Sequence, residues 1–185
     1  MTTNEARKKN RKKLEQAEKF SRADDRSGAE KIWRAHLKDA PEDADVLFNV
    51  GVCIQRRAKE SADRHESATF FNRVVSSPEA TMERKADALN NLGLLMESIG
   101  ESEKAMVAYG FALKMWPDHR AARVNLGDSH RHFGNFHQAD EEFRVVLSQD
   151  EASPEAHFCA GMIALLLGDY KRGWEEYRWR VKVPN

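Results

Sequence analysis

The sequence predicts an all-α solenoid of about five antiparallel helix pairs, and three recurrent features predict it. Glycines that follow a small or aliphatic residue recur as Val50-Gly51, Leu92-Gly93, Leu126-Gly127 and Ala160-Gly161, the last three spaced by 34 residues. Gly100, Gly134 and Gly168 fall where the first helix of a pair must stop, as a left-handed cap requires. Pro41, Pro78 and Pro117 break the chain between pairs, because proline cannot continue the preceding helix. A period of this size marks stacked helical hairpins, none of which buries its apolar face alone. The first glycine interval is 42 residues, so one repeat carries an insertion of eight.

The elements follow in order. Helices over 4–22 and 26–39 form a degenerate first repeat (4–41), with Ala17, Phe20, Ala29 and Trp33 in phase. Helices over 42–59 and 63–77 form the repeat with the insertion (42–79), on Leu47, Val50-Gly51, Ile54, Phe71 and Val74. The run Arg56–His65 lengthens this hairpin, and its helix-compatible composition predicts extended helices rather than a loose loop. Helices over 80–99 and 102–115 form the repeat 80–117, on Leu89, Leu92-Gly93, Met96, Ala105, Tyr109 and Ala112. Helices over 118–133 and 136–149 belong to 118–152, through Leu126-Gly127, Phe136, Ala139 and Phe143. Helices over 153–167 and 170–183 close the chain (153–183), through Ala160-Gly161, Tyr170, Gly173, Trp174 and Tyr177. Glycine at 51, 93, 127 and 161 lets two helix backbones approach closely, and Ala105 and Ala139 serve the same approach from the second helix.

The segment Ala86–Pro117, with its Leu-Gly pair, Gly100, Ala105, Tyr109, Ala112 and Pro117, resembles the tetratricopeptide repeat, and the likeness covers nearly the whole chain as one domain, 1–185. The resemblance implies a right-handed superhelix in which the first helix of each pair lines a concave groove. It implies a protein-binding scaffold for a peptide or protein segment, with no enzymatic activity.

On those groove helices, Asn49, Asn91 and Asn125 each stand two residues before the repeat glycine, and Cys159 breaks the series. Asparagine is unfavourable inside a helix, because its amide competes for backbone hydrogen bonds. Pointing into a groove, it supplies donors and an acceptor to the main chain of an extended peptide. The series resembles the asparagine ladder of O-linked N-acetylglucosamine transferases. The competing reading is packing, with each amide bonding a neighbouring repeat. Phe48, Asn90, Asp128, Arg131 and His132 share the groove face, with Gln55 and Glu97 nearby. Asp128 and Arg131, three apart, either pair with each other or read charge on a ligand. The chaperone-tail clamp of some relatives requires groove lysines and arginines, and the matching positions of the three clearest first helices lack lysine.

The final run Gly168-Asp169-Tyr170-Lys171-Arg172-Gly173-Trp174-Glu175-Glu176-Tyr177-Arg178-Trp179-Arg180 resembles the closing repeat of bacterial and phage-type proteins in which a glycosyltransferase domain follows the repeats. That resemblance implies an alternative role, a substrate-recognition module of a glycosyltransferase system, in a chain that stands alone or is a piece of a longer one. Tyr170, Trp174 and Tyr177 fall on one helix face and read as core. Trp179 lies about 140° from Trp174 and reads as exposed unless a subunit, a further domain or the final residues cover it. Self-assembly into a homo-oligomer through Trp179 and the terminal repeats is therefore a second alternative.

Composition narrows the classes. Thirty basic and thirty acidic residues cancel, against the basic excess of a dedicated nucleic-acid binder. The basic run Arg7, Lys8, Lys9, Arg11, Lys12 and Lys13 reads as a solvated, frayed helix start, the alternative being contact with phosphates or anionic lipid. No apolar stretch approaches membrane-spanning length and no secretory signal opens the chain. Cys53 and Cys159 read as small buried hydrophobes in a reducing compartment, which points to the cytoplasm. Of His119, His130, His132 and His137, His130 and His132 are two apart on a helix and point in different directions, against metal ligation, and no nucleophile, zinc or phosphate-loop motif appears. No catalytic residue, metal or cofactor is expected.

Overall fold

The computed structural model describes residues 2–58 and 60–183. Lys59, the last residue of the expected helix 42–59, lies outside them, as do Met1, Pro184 and Asn185. Among the described residues there are ten α-helices, one 3-10 helix and no strand. They are α1 (Thr3–Arg22), α2 (Arg26–Leu37), α3 (Ala44–Arg57), α4 (Ser61–Ser76), α5 (Met82–Ser98), α6 (Ser102–Met115), α7 (Arg120–His132), α8 (Phe136–Gln149), α9 (Pro154–Leu166), α10 (Tyr170–Tyr177) and the 3-10 turn η1 (Arg178–Lys182). The chain divides into two compact units, Met1–Glu101 and Ser102–Asn185.

In the first unit each of α1 to α5 packs on the next, and α3 also touches α5. One core holds Ala17, Ala29, Trp33, Val46, Val50, Cys53 and Ile54; a second holds Leu47, Phe71, Val74, Ala88, Leu92 and Leu95. The second unit repeats the scheme from α6 to α10, with α7 touching α9, around Ala139, Phe143, Val146, Ala156, Ala160 and Ile163. Contact between alternate first helices is what stacked hairpins require and a single hairpin cannot provide.

The turns explain the first repeat's degenerate look. Gly100, Gly134 and Gly168 have φ of 81°, 75° and 84°, the left-handed conformation expected of them. Asp24, with φ 63°, holds the matching place between α1 and α2. Aspartate tolerates this region better than most side chains, so the turn survives without its glycine and the sequence signal is lost.

Three expectations change. Helix α1 is not frayed at its start, because Thr2 accepts from the Glu5 N–H while the Glu5 carboxylate accepts from the Thr2 N–H. The eight-residue insertion is taken up mostly as extended helix, but only in part within the α3–α4 hairpin. One residue lengthens the end of α3, two lengthen α4, one enters the turn before α5, and four lengthen the start of α5. Finally, the helix expected over 170–183 stays α-helical only to Tyr177, then tightens into η1.

Candidate functional site

The first helices of the first unit are joined by a charged network that begins at Asp43. Its carboxylate caps α3 by accepting from the Val46 N–H at 3.3 Å. It also accepts from Arg7 Nε at 2.6 Å and Nη2 at 2.5 Å, and from His36 Nε2 at 3.0 Å. Asn10 donates to His36 Nδ1 at 3.2 Å, an arrangement that leaves the His36 proton on Nε2, aimed at Asp43. Burial of Asp43 works to raise its pKa, but the Arg7 bonds and charge, His36 and the Val46 N–H outweigh it and hold the carboxyl below its ordinary value. Arg7 also donates to Asp45 at 2.8 Å, and Asp45 takes Arg84 Nε at 2.9 Å. The Arg84 guanidinium lies 4.6 Å from the centre of the Phe48 ring. Helices α1, α3 and α5 are thus tied along their N-terminal halves by arginine–carboxylate bonds. Arg7 and Lys9, the latter paired with Asp39 at 3.1 Å, are the members of the basic run committed to this scaffold.

Beside the network, a cleft of about 460 Å³ opens between α1 and α3 over α2. Leu14, Trp33 and Val46 form its apolar surface; Arg7, Lys8, Arg11 and Glu18 supply charge along α1. Asn49 lines the same cleft, half-buried, and its amide bonds no described residue. Helix α1 lies close on its neighbours because Ala6 and Ala17 are its only fully buried side chains, with Leu14 and Phe20 packed half-buried on the first core.

The other residues singled out from sequence are distributed as follows. Asn91 is half-buried and donates to the Asp87 carbonyl of its own helix at 2.8 Å. Asn90 is buried, and Phe48 packs tilted on Phe71 with ring centres 5.7 Å apart. In the second unit, Arg131 bonds Asp128 at 3.0 Å, the intrahelical pairing that their spacing allows. His132 is exposed and bonds the Asp128 carbonyl at 2.9 Å, and Asn125 is half-buried one turn earlier. Sequence reasoning missed Trp33, Leu14 and the α1 side chains as groove residues, and it missed Asp43 altogether. Asp43 stands before a helix start, and that N-cap position was its one readable signal.

The C-terminal expectation inverts. Trp179 is half-buried, stacked on His157 with ring centres 4.0 Å apart and carrying Lys182 at 3.7 Å on the ring. Tyr170 and Trp174, expected in the core, are 66% and 58% exposed. The helix periodicity was right, but the face it defines looks outward in this unit, and only Tyr177 packs inward, on Phe158 at 5.4 Å.

Burial raises the Cys53 thiol pKa and pushes Cys159 up to about 12, Asp128 adding to the effect. Both thiols therefore stay protonated at neutral pH and are poor nucleophiles. Iodoacetamide at pH 8 is expected to modify them slowly in the folded chain and rapidly in urea. Fast labelling of Cys159 without denaturant would contradict its burial. Among the described residues no group of three or more histidine, cysteine or acidic side chains is placed to hold a metal. No described helix is long and apolar enough to cross a membrane.

A family model described as tetratricopeptide repeat matches residues 99–154. Residues 99–154 carry tetratricopeptide repeats. No curated protein matches the chain. Among solved structures, the chain is similar to PilF of Pseudomonas aeruginosa, with TM-score 0.80 and 18% identity over 99% of this chain and 78% of that one. MamA from Desulfovibrio magneticus RS-1 gives TM-score 0.71 and 16% identity over 92% of each chain. YrrB, described as a TPR protein with an unusual peptide-binding site, gives 0.67 and 15% identity over 97% of this chain and 91% of that one. At these identities the likeness establishes a shared all-α helical-repeat fold.

Proposed function

We infer that this tetratricopeptide-repeat chain is a protein-interaction scaffold that takes an extended peptide segment in the cleft between α1 and α3. The observation that carries this reading is the free amide of Asn49 beside an apolar floor of Leu14, Trp33 and Val46. An amide supplies donors and an acceptor that match a peptide main chain, and the floor takes an apolar side chain. Lys8, exposed on the rim, adds attraction for an acidic residue. The Asp43 network supports the reading by holding α1 and α3 at fixed spacing, which keeps the cleft formed before a ligand arrives. YrrB, whose description includes a peptide-binding site, shares the fold and is compatible with such a role.

The test begins with peptides selected for binding from a random library displayed against the purified chain, measured by fluorescence anisotropy. Asn49→Ala is expected to weaken the selected peptides about tenfold, or ~1.4 kcal/mol, the loss of a paired amide. Asn91→Ala, whose amide is held by its own helix, is expected to leave them within about twofold. Selected peptides that bind Asn49→Ala as tightly as the parent would remove the cleft from consideration.

A further inference from the structure

The outward face of α10 is an exposed apolar feature of the second unit. Tyr170 and Trp174 are 66% and 58% exposed, and Leu166 at the end of α9 is 61% exposed. Two aromatic rings at these exposures present on the order of 250 Å². That area is of the few hundred Å² that marks an interaction site rather than a scattered hydrophobe. Tyr170 and Trp174 lie about 40° apart at 100° per residue, a narrow stripe of the kind one helix offers another.

The same unit shows what such a face receives. One repeat earlier, 34 residues back, Tyr170 and Trp174 correspond to Phe136 and Asp140 of α8. Phe136 packs on the core shared with Ala156, Ala160 and Ile163 of α9, and Asp140 is buried, holding Arg172 at 3.0 and 2.6 Å. On α8 this face is covered by helices; on α10 it is not.

Charge selects the occupant. Lys171 and Arg178 stand about 100° and 80° from Tyr170, flanking the stripe on one side. Both are exposed, and neither pairs with an acid among the described residues. Arg180 lies over Tyr177 at 4.8 Å, and Lys182 follows it. A second copy would bring basic flanks against basic flanks, which opposes self-association. A lipid surface would favour a broad apolar face over a narrow stripe.

We propose that the Tyr170–Trp174 face of α10 docks an amphipathic helix with acidic flanks from a partner protein, at a site separate from the α1–α3 cleft. The exposed area is below the roughly 800 Å² per partner of a tight complex, so micromolar affinity is expected.

The probes are two stapled monomeric helices with the same leucine stripe, one flanked by glutamate and one by lysine. The full chain is expected to bind the glutamate helix at micromolar Kd and the lysine helix at least tenfold more weakly. Trp174→Ala should weaken the glutamate helix tenfold or more, and its exposure leaves the fold intact. Lys171→Glu with Arg178→Glu should reverse the preference while circular dichroism stays unchanged. Equal binding of both helices, or none, would overturn the proposal. So would a concentration-dependent dimer that Trp174→Ala abolishes, or tighter binding to phosphatidylserine vesicles than to the glutamate helix.

Discussion

Asp43→Ala is expected to destabilise the first unit by about 3–5 kcal/mol, the range for breaking a buried ion pair from one side. The side chain is fully buried, and one substitution removes three kinds of bond. Loss of the α3 cap accounts for ~1 kcal/mol. The remainder comes from His36, whose side chain is 1% exposed and loses its acceptor, and from Arg7. Arg7 contributes less than a fully buried partner would, because its side chain is 41% exposed and water screens it. Asp43→Asn retains a capping oxygen but not the charge, so it should fall between parent and alanine. A loss near 1 kcal/mol for Asp43→Ala in urea unfolding would reduce the residue to an ordinary cap.

The same carboxylate sets an acid limit. Its folded pKa lies below its unfolded value of about 3.9. The stabilisation is therefore complete above that value and disappears as pH falls through the lower folded value. Parent and Asp43→Asn should differ in stability at pH 7 and converge below about pH 4. A constant difference down to pH 2 would show that Asp43 does not titrate with unfolding.

Gly161→Ala is expected to cost about 2 kcal/mol or more, although alanine favours a helix by up to ~1 kcal/mol over glycine. A Cβ at this position would stand 2.5 Å from the Tyr177 backbone nitrogen and 2.9 Å from its Cα, so α9 and α10 must separate. The equivalent Cβ at Gly127 would meet the Phe143 ring at 3.0 Å, and at Gly51 the Phe71 ring at 2.8 Å. A ring can tilt where a backbone cannot. Gly127→Ala is therefore expected within about 1 kcal/mol of the parent, with Gly51→Ala between the two. Separation of α9 and α10 should also disturb the stacking of Trp179 on His157, so its fluorescence should shift at Gly161→Ala alone. Equal stability losses at all three glycines would mean that the close approach is no tighter at α9 than elsewhere.

Much of the fold was legible because its signals are local. A left-handed turn asks for glycine, a helix start for a capping side chain, and close helix approach for glycine or alanine, and each recurs at the repeat period. Helix α6 was placed over 102–115 and α8 over 136–149 on those signals, and both stand there. The candidate site was less legible. Asn49 and Asn91 occupy equivalent places in their helices, yet one amide is free in a cleft and the other bonds its own backbone. Nothing within a few residues of either distinguishes them.

From residue pattern alone came the all-α class, the number of hairpins and the phase of each apolar face, because periodicity is a property of neighbouring residues. Whether a face meets another helix or solvent depends on what packs there, which is why Tyr170 and Trp174 read as core and stand exposed. The pairing of Arg7 with Asp43, and of Asp45 with Arg84, spans 36 and 39 residues. Such long-range charge pairs carry no periodic mark, so only the packed structure could assign them.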